Sequence, residues 1–213
     1  MKVKVLSLEH RDDLRDLLKD FMDYFGDKAE FVITEKETVN MLQTMLDARL
    51  ISWLGVGFRK SKQGIRGECG CFNTHINLWT ECSRQSEDFL IVEDSSLINF
   101  DLLKEEKFDS KTDITFYNQE FQIGNNRLQG FGISAYKISP ESAKQLLRVC
   151  LPMTLPLDLM IRQMCNANFI SYSIGKQFVS RNNSVPHSTE QNCEDLGSRQ
   201  SMLPLIKRID EIF

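Results

Sequence analysis

No apolar run in this 213-residue chain approaches the roughly 20 residues needed to cross a bilayer, which excludes a membrane-spanning helix. The net charge of −4 and pI near 5.5 leave no broad basic surface, so nucleic acid is not an expected partner. Phosphate-binding fingerprints are missing too: the glycines and basic residues of 51–67 fit none of them and read as a surface loop. The six cysteines (Cys69, Cys71, Cys82, Cys150, Cys165 and Cys193) include no C-x-x-C pair and no zinc-finger spacing. They are expected to be free thiols, which suits the cytoplasm. Met1 to Leu8 reads as a strand rather than a secretory signal, because charged residues follow at once. No internal repeat or domain boundary is visible.

What is present is the balance of a globular protein, 41% hydrophobic and 26% charged. Residues 2–8 read as a first strand, followed by a polar loop and a helix. Leu14, Leu17, Leu18, Phe21, Met22 and Phe25 recur at helical spacing up to a stop at Gly26. That is the first βα unit of an α/β, Rossmann-like sheet. Phe31–Ile33 reads as a second strand, and Thr34 with Glu37 as a capping box opening a helix to Leu46. A further helix is expected from about Cys71, with Phe72, Ile76 and Trp79 on one face and His75 beside them.

Phe89-Leu90-Ile91-Val92 is unbroken apolar sequence running into Glu93-Asp94. Such a run reads as a strand buried on both faces, which delivers its carboxylates to the edge where open α/β sheets bind ligands. Beyond it, 113–117 and 133–139 read as strands, the second containing Tyr136, and 122–132 as a loop able to close over a ligand. Ser139-Pro140 marks a helix start, with Ser139 as N-cap and Pro140 at the first position. Pro156-Leu157-Asp158 opens another helix. On spacing alone Asp158 is a first-turn acid that complements the helix dipole. A strand at 169–173 is expected next, then a polar tail with a short amphipathic turn at Leu205–Ile212.

Four stretches, in order, resemble glycosyltransferase family 25, which contains lipopolysaccharide glycosyltransferases and collagen hydroxylysine galactosyltransferases. They are the segment from Leu8 to Arg15, the segment Gly67-Glu68-Cys69-Gly70-Cys71-Phe72-Asn73-Thr74-His75 through Trp79, the acidic strand end Phe89–Asp94, and Gly132–Ser139 with Ala143, Leu146 and Leu147. Pro156-Leu157-Asp158 falls where family members carry Pro-x-Asp. The likeness covers about residues 1–160.

The resemblance implies a GT-A-like fold, a Rossmann-type mixed sheet flanked by helices, in a single domain over 1–213. About 1–100 would bind the nucleotide sugar and 101–180 the acceptor, with 181–213 a polar tail. It implies inverting transfer of a sugar, galactose or glucose first, from a UDP-sugar to a hydroxyl of a glycan or of hydroxylysine. Peripheral membrane contact follows only if that acceptor is lipid-linked.

Under the resemblance, Leu8, Arg11, Arg15, Glu93, Asp94 and Tyr136 belong to the nucleotide side. Asp94 and Glu93, with Ser96, would hold Mn²⁺ or Mg²⁺, hard ions suited by oxygen ligands. Asp158 is the first candidate for the base that deprotonates the acceptor hydroxyl, followed by Glu68 and His75. Ser95 stands where the family carries a third carboxylate. That departure motivates an alternative: a GT-A-fold protein that binds a nucleotide sugar or a partner without efficient turnover.

Overall fold

The computed structural model describes residues 1–8, 11–34, 47–50, 64–130 and 132–182, the side chains of 64–69 excepted. Among the described residues, seven strands form one mixed sheet in the order β2-β1-β3-β8-β5-β9-β4. They are β1 (Lys2–Leu8), β2 (Ala29–Thr34), β3 (Phe89–Glu93), β4 (Ser96–Ile98), β5 (Ile114–Asn118), β8 (Ala135–Ile138) and β9 (Tyr172–Arg181). β6 (Gln122–Gly124) and β7 (Arg127–Gln129) make a separate hairpin. The helices are α1 (Asp12–Leu17), α2 (Lys19–Phe25), α3 (Gly64–Cys82), α4 (Phe100–Glu105), α5 (Pro140–Val149) and α6 (Leu157–Asn166). The expected architecture, a mixed sheet flanked by helices, is the one observed.

β1 lies between β2 and β3 and is parallel to both. The chain therefore leaves β1 toward one side and returns on its other side. In open α/β sheets that reversal opens a crevice beyond the carboxyl ends of the strands. The rest of the sheet is mixed: β8 is antiparallel to β3 and β5, and β5 is parallel to β9.

Each face of the sheet carries its own core. Phe89 and Ile91 pack with Leu6, Phe72, Ile76, Trp79, Tyr136 and Leu146 on the α3–α5–α6 side. Leu90 and Val92 pack with Val3, Val5, Leu18, Phe21 and Phe178 on the α1–α2 side. The period of two along a strand produces this sorting, and burial on both faces explains why β3 has no polar alternation.

Local signals are obeyed where they are strong. Ser139 Oγ accepts the Ser142 N–H at 3.1 Å and Pro140 opens α5. Gly26, at φ +55°, follows the last residue of α2.

Several expectations are corrected. The helix predicted over 14–25 breaks into two at Leu18. α3 begins at Gly64, seven residues before the predicted Cys71, because glycines at 64, 67 and 70 weaken the local signal without stopping the helix. The predicted loop at 122–132 is largely a tight hairpin, whose Asn125 and Asn126 both take positive φ, as its two-residue turn requires. The last strand begins at Tyr172 and runs to Arg181, later and longer than 169–173. The helix expected after Thr34, most of the basic loop at 51–67 and the tail beyond Asn182 lie outside the described residues.

Candidate functional site

The carboxyl ends of β1 and β3 meet through the Asp94 N–H, which donates to Leu6 O at 2.9 Å. From β1 the chain turns tightly, with the Arg11 N–H donating to Leu8 O at 3.0 Å. Arg11, only 6% exposed, donates from Nε to Asp13 Oδ1 at 3.2 Å. Arg15 donates from Nη1 to Leu8 O at 2.7 Å and to Ser7 Oγ at 3.2 Å, and pairs with Asp12. Both arginines predicted from the sequence thus converge on the end of β1, where Leu8 supplies a carbonyl anchor.

Asp94 faces this group. Burial raises its pKa, opposed by the Ser7 hydroxyl and the Arg11 charge. Its Oδ2 is buried and has no hydrogen-bond partner among the described residues.

Glu93 points the other way. Successive strand side chains alternate, so Glu93 continues the Phe89–Ile91 face toward α3. There a carboxylate oxygen of Glu93, Cys71 Sγ and a ring nitrogen of His75 lie within 4.8 Å of one another. Cys71 and His75 are four residues apart on α3 and share a face. Burial, reinforced by the charges of Asp94 and Asp158, pushes the Glu93 carboxyl up to about 8. The Cys71 thiol is raised well above its usual value, chiefly by burial.

His75 is fully buried, and burial depresses its imidazole to about 3, so it is neutral. Its Nδ1 lies 2.6 Å from the Tyr136 hydroxyl, which also accepts the Trp79 Nε1–H at 2.8 Å. The Tyr136 ring is completely enclosed and stacks on His75. His75 Nε2 is buried without a hydrogen-bond partner among the described residues.

Asp158 lies in the first turn of α6 and accepts the Gly132 N–H at 3.0 Å through Oδ2. It is near enough to Glu93 and Cys71 to raise both pKa values. Glu120 raises and Arg181 lowers the pKa of Glu93, and Glu120 accepts the Arg181 N–H at 2.9 Å. Ser96 is buried in β4 with its hydroxyl 3.5 Å from Ser134 O. The Glu68 side chain lies outside the described residues.

The structure therefore brings Leu8, Arg11, Arg15 and Asp94 together, and separately Glu93, His75 and Asp158 with Tyr136 behind them. Sequence reasoning missed Cys71 as a partner of His75, although their four-residue spacing on a helix was the available signal. It also missed Glu120 and Arg181, which no local pattern marks.

No family model matches the chain, and no curated protein matches it in sequence. Its fold is similar to several solved structures. The inositol-1-phosphate CTP transferase from T. maritima has a TM-score of 0.49 at 13% identity, over 92% of this chain and 97% of that one. The glycosyltransferase GlyE of Streptococcus pneumoniae TIGR4 has 0.47 at 9%, over 94% and 58%. A mutant Drosophila β-1,4-galactosyltransferase 7 in complex with manganese, UDP-Gal and xylobiose has 0.45 at 11%, over 95% and 79%. All three are named as transferases. Likeness of fold alone does not carry function, so the functional argument rests on the chemistry of the site.

Proposed function

We propose that the chain is a glycosyltransferase that uses a nucleotide sugar, a UDP-sugar in the first instance, and transfers the sugar to a hydroxyl acceptor. The observation that carries this reading is Asp94. Its carboxylate stands at the reversal between β1 and β3, beside Arg11, with one oxygen buried and, among the described residues, unpartnered. A desolvated acceptor atom of this kind is costly unless something binds it. A divalent cation fits: carboxylate oxygen is a hard ligand, suited to Mg²⁺ or Mn²⁺.

When bound, such an ion would neutralise the charge that develops on the departing diphosphate. The protein's own residues do the rest. Arg11 and Arg15 place guanidinium charge at the β1 end, where phosphate oxygens would lie. The Gly132 N–H orients the carboxylate of Asp158, our candidate for accepting the acceptor's proton. In this reading residues 1–100 hold the donor and 101–180 the acceptor, a glycan or a hydroxylysine.

Calorimetric titration with UDP, UDP-sugars and other nucleotides, with and without Mn²⁺, tests the proposal. Selective UDP-sugar binding with slow release of UDP supports it, and no nucleotide binding refutes it. Ser95 in place of a third carboxylate favours the second reading, a nucleotide-sugar-binding protein without turnover. Binding without any release of UDP would select that reading.

A further inference from the structure

The cluster of Cys71, His75 and Glu93, of which only His75 is fully buried, is not used by the donor side of the crevice. Three ligand-type atoms, one each of sulfur, nitrogen and oxygen, lie within 4.8 Å of one another on two elements. Two of them come from one face of α3, a 19-residue helix, and the third from the carboxyl end of β3. His75 provides the second and independent observation. Its ring is fully enclosed, Nδ1 is engaged with Tyr136, and Nε2 has no hydrogen-bond partner among the described residues. A neutral imidazole with one nitrogen held by an outer group and the other left bare is the arrangement that metal-ligating histidines adopt.

We propose that Cys71 Sγ, His75 Nε2 and a Glu93 carboxylate oxygen form a binding site for a zinc-class divalent cation. Thiolate and imidazole together select zinc over magnesium or calcium, which require oxygen alone. Three protein ligands leave a fourth position for water or a substrate oxygen, as in zinc sites that take part in chemistry. Tyr136 is the positioning residue. Its hydroxyl, itself held by the Trp79 N–H, fixes the ring plane of His75. Cys71 and Glu93 are only partly buried, which gives the ion a way in. Ligation replaces the thiol proton of Cys71 and, near neutral pH, the carboxyl proton of Glu93 by the metal and releases them to solvent, so affinity should rise with pH.

The site is distinct from that of the donor cation, because Glu93 meets Cys71 and His75 whereas Asp94 meets Ser7 and Arg11. It can therefore be tested without any nucleotide. The full chain would be stripped with a chelator and titrated with Co²⁺ and with Zn²⁺. We expect one equivalent of Co²⁺ with the visible bands of a tetrahedral ion and an ultraviolet thiolate-to-cobalt charge-transfer band, both displaced by Zn²⁺. Cys71→Ser should abolish the charge-transfer band, and Glu93→Gln should weaken Co²⁺ binding at least as much as loss of an outer partner does, about tenfold or more. Tyr136→Phe, which keeps all three ligands, should weaken it about tenfold while the band remains. Absence of a thiolate band in the parent protein, or a band that persists in Cys71→Ser, would overturn the site.

Discussion

Glu93 and Asp94 are consecutive residues whose carboxylates belong to different environments. Glu93 meets Cys71 and His75 on the α3 side of the sheet. Asp94 meets Ser7 and Arg11 at the end of β1. The pleat sets the two carboxylates against different partners, while the Asp94 charge still helps to raise the Glu93 pKa.

This separation predicts that the two functions can be uncoupled. Asp94→Asn should weaken UDP binding in the presence of Mn²⁺ about tenfold or more, a loss of about 1.4 kcal/mol. It should leave the Cys71-dependent cobalt band in place. Calorimetry and absorbance on the same preparation read both effects. A simultaneous loss of both would mean that the two carboxylates share one ion.

Stability of the metal-stripped protein should depend on pH in a specific way. Glu93 rises from 4.5 unfolded to about 8 folded, so across that window the native state holds the extra proton and stability falls as pH rises. His75 falls from 6.5 to about 3, so the unfolded state holds the extra proton and stability rises with pH across its window. The two slopes oppose each other between 4.5 and 6.5. Their combined contribution is therefore flat there, declines above it through Glu93 and declines below it through His75. Each arm has a slope of at most about 1.4 kcal/mol per pH unit. Denaturant titrations over a pH series, compared between parent and Glu93→Gln, should show the upper arm disappear in the variant.

Tyr136→Phe removes the acceptor of the buried Trp79 N–H and the partner of His75 Nδ1. Leaving such a group unsatisfied costs about 1–3 kcal/mol, and that loss should appear in chemical denaturation. Unchanged stability would mean that the hydroxyl does not tie these three side chains together.

Two glycines near Asp158 should respond unequally to alanine. At Gly130, φ is +116° and an added Cβ would stand 1.9 Å from Glu120 O, so strain and clash add to about 3 kcal/mol or more. At Gly132, φ is +79° with open space around the added atom, so only backbone strain of about 1–2 kcal/mol is expected. The Gly132 variant should still perturb acceptor chemistry, because its N–H orients Asp158. Thermal unfolding of the two variants, set beside donor hydrolysis, checks the order.

The amino-acid sequence alone determined the features that short-range physics controls. Ser139-Pro140 opens α5 because a side chain can cap an N–H three residues away. Gly26 follows α2 because it takes positive φ without a Cβ penalty. β3 is legible because four large apolar residues in a row need two cores to cover them. The candidates Arg11, Arg15, Glu93, Asp94, His75 and Asp158 were all visible as residues.

Which of them stand together was decided by the tertiary structure. Placing β8 beside β3 brings Tyr136 to His75, 61 positions away in the chain. The return of α6 brings Asp158 to Gly132, 26 positions away. Lys4 is a similar case: a charged side chain within β1, it is 3% exposed and paired with Glu30 and Glu81. Such contacts depend on strand order and on the face each helix covers. Those are set by the summed burial of the whole sheet, to which no short window of sequence has access.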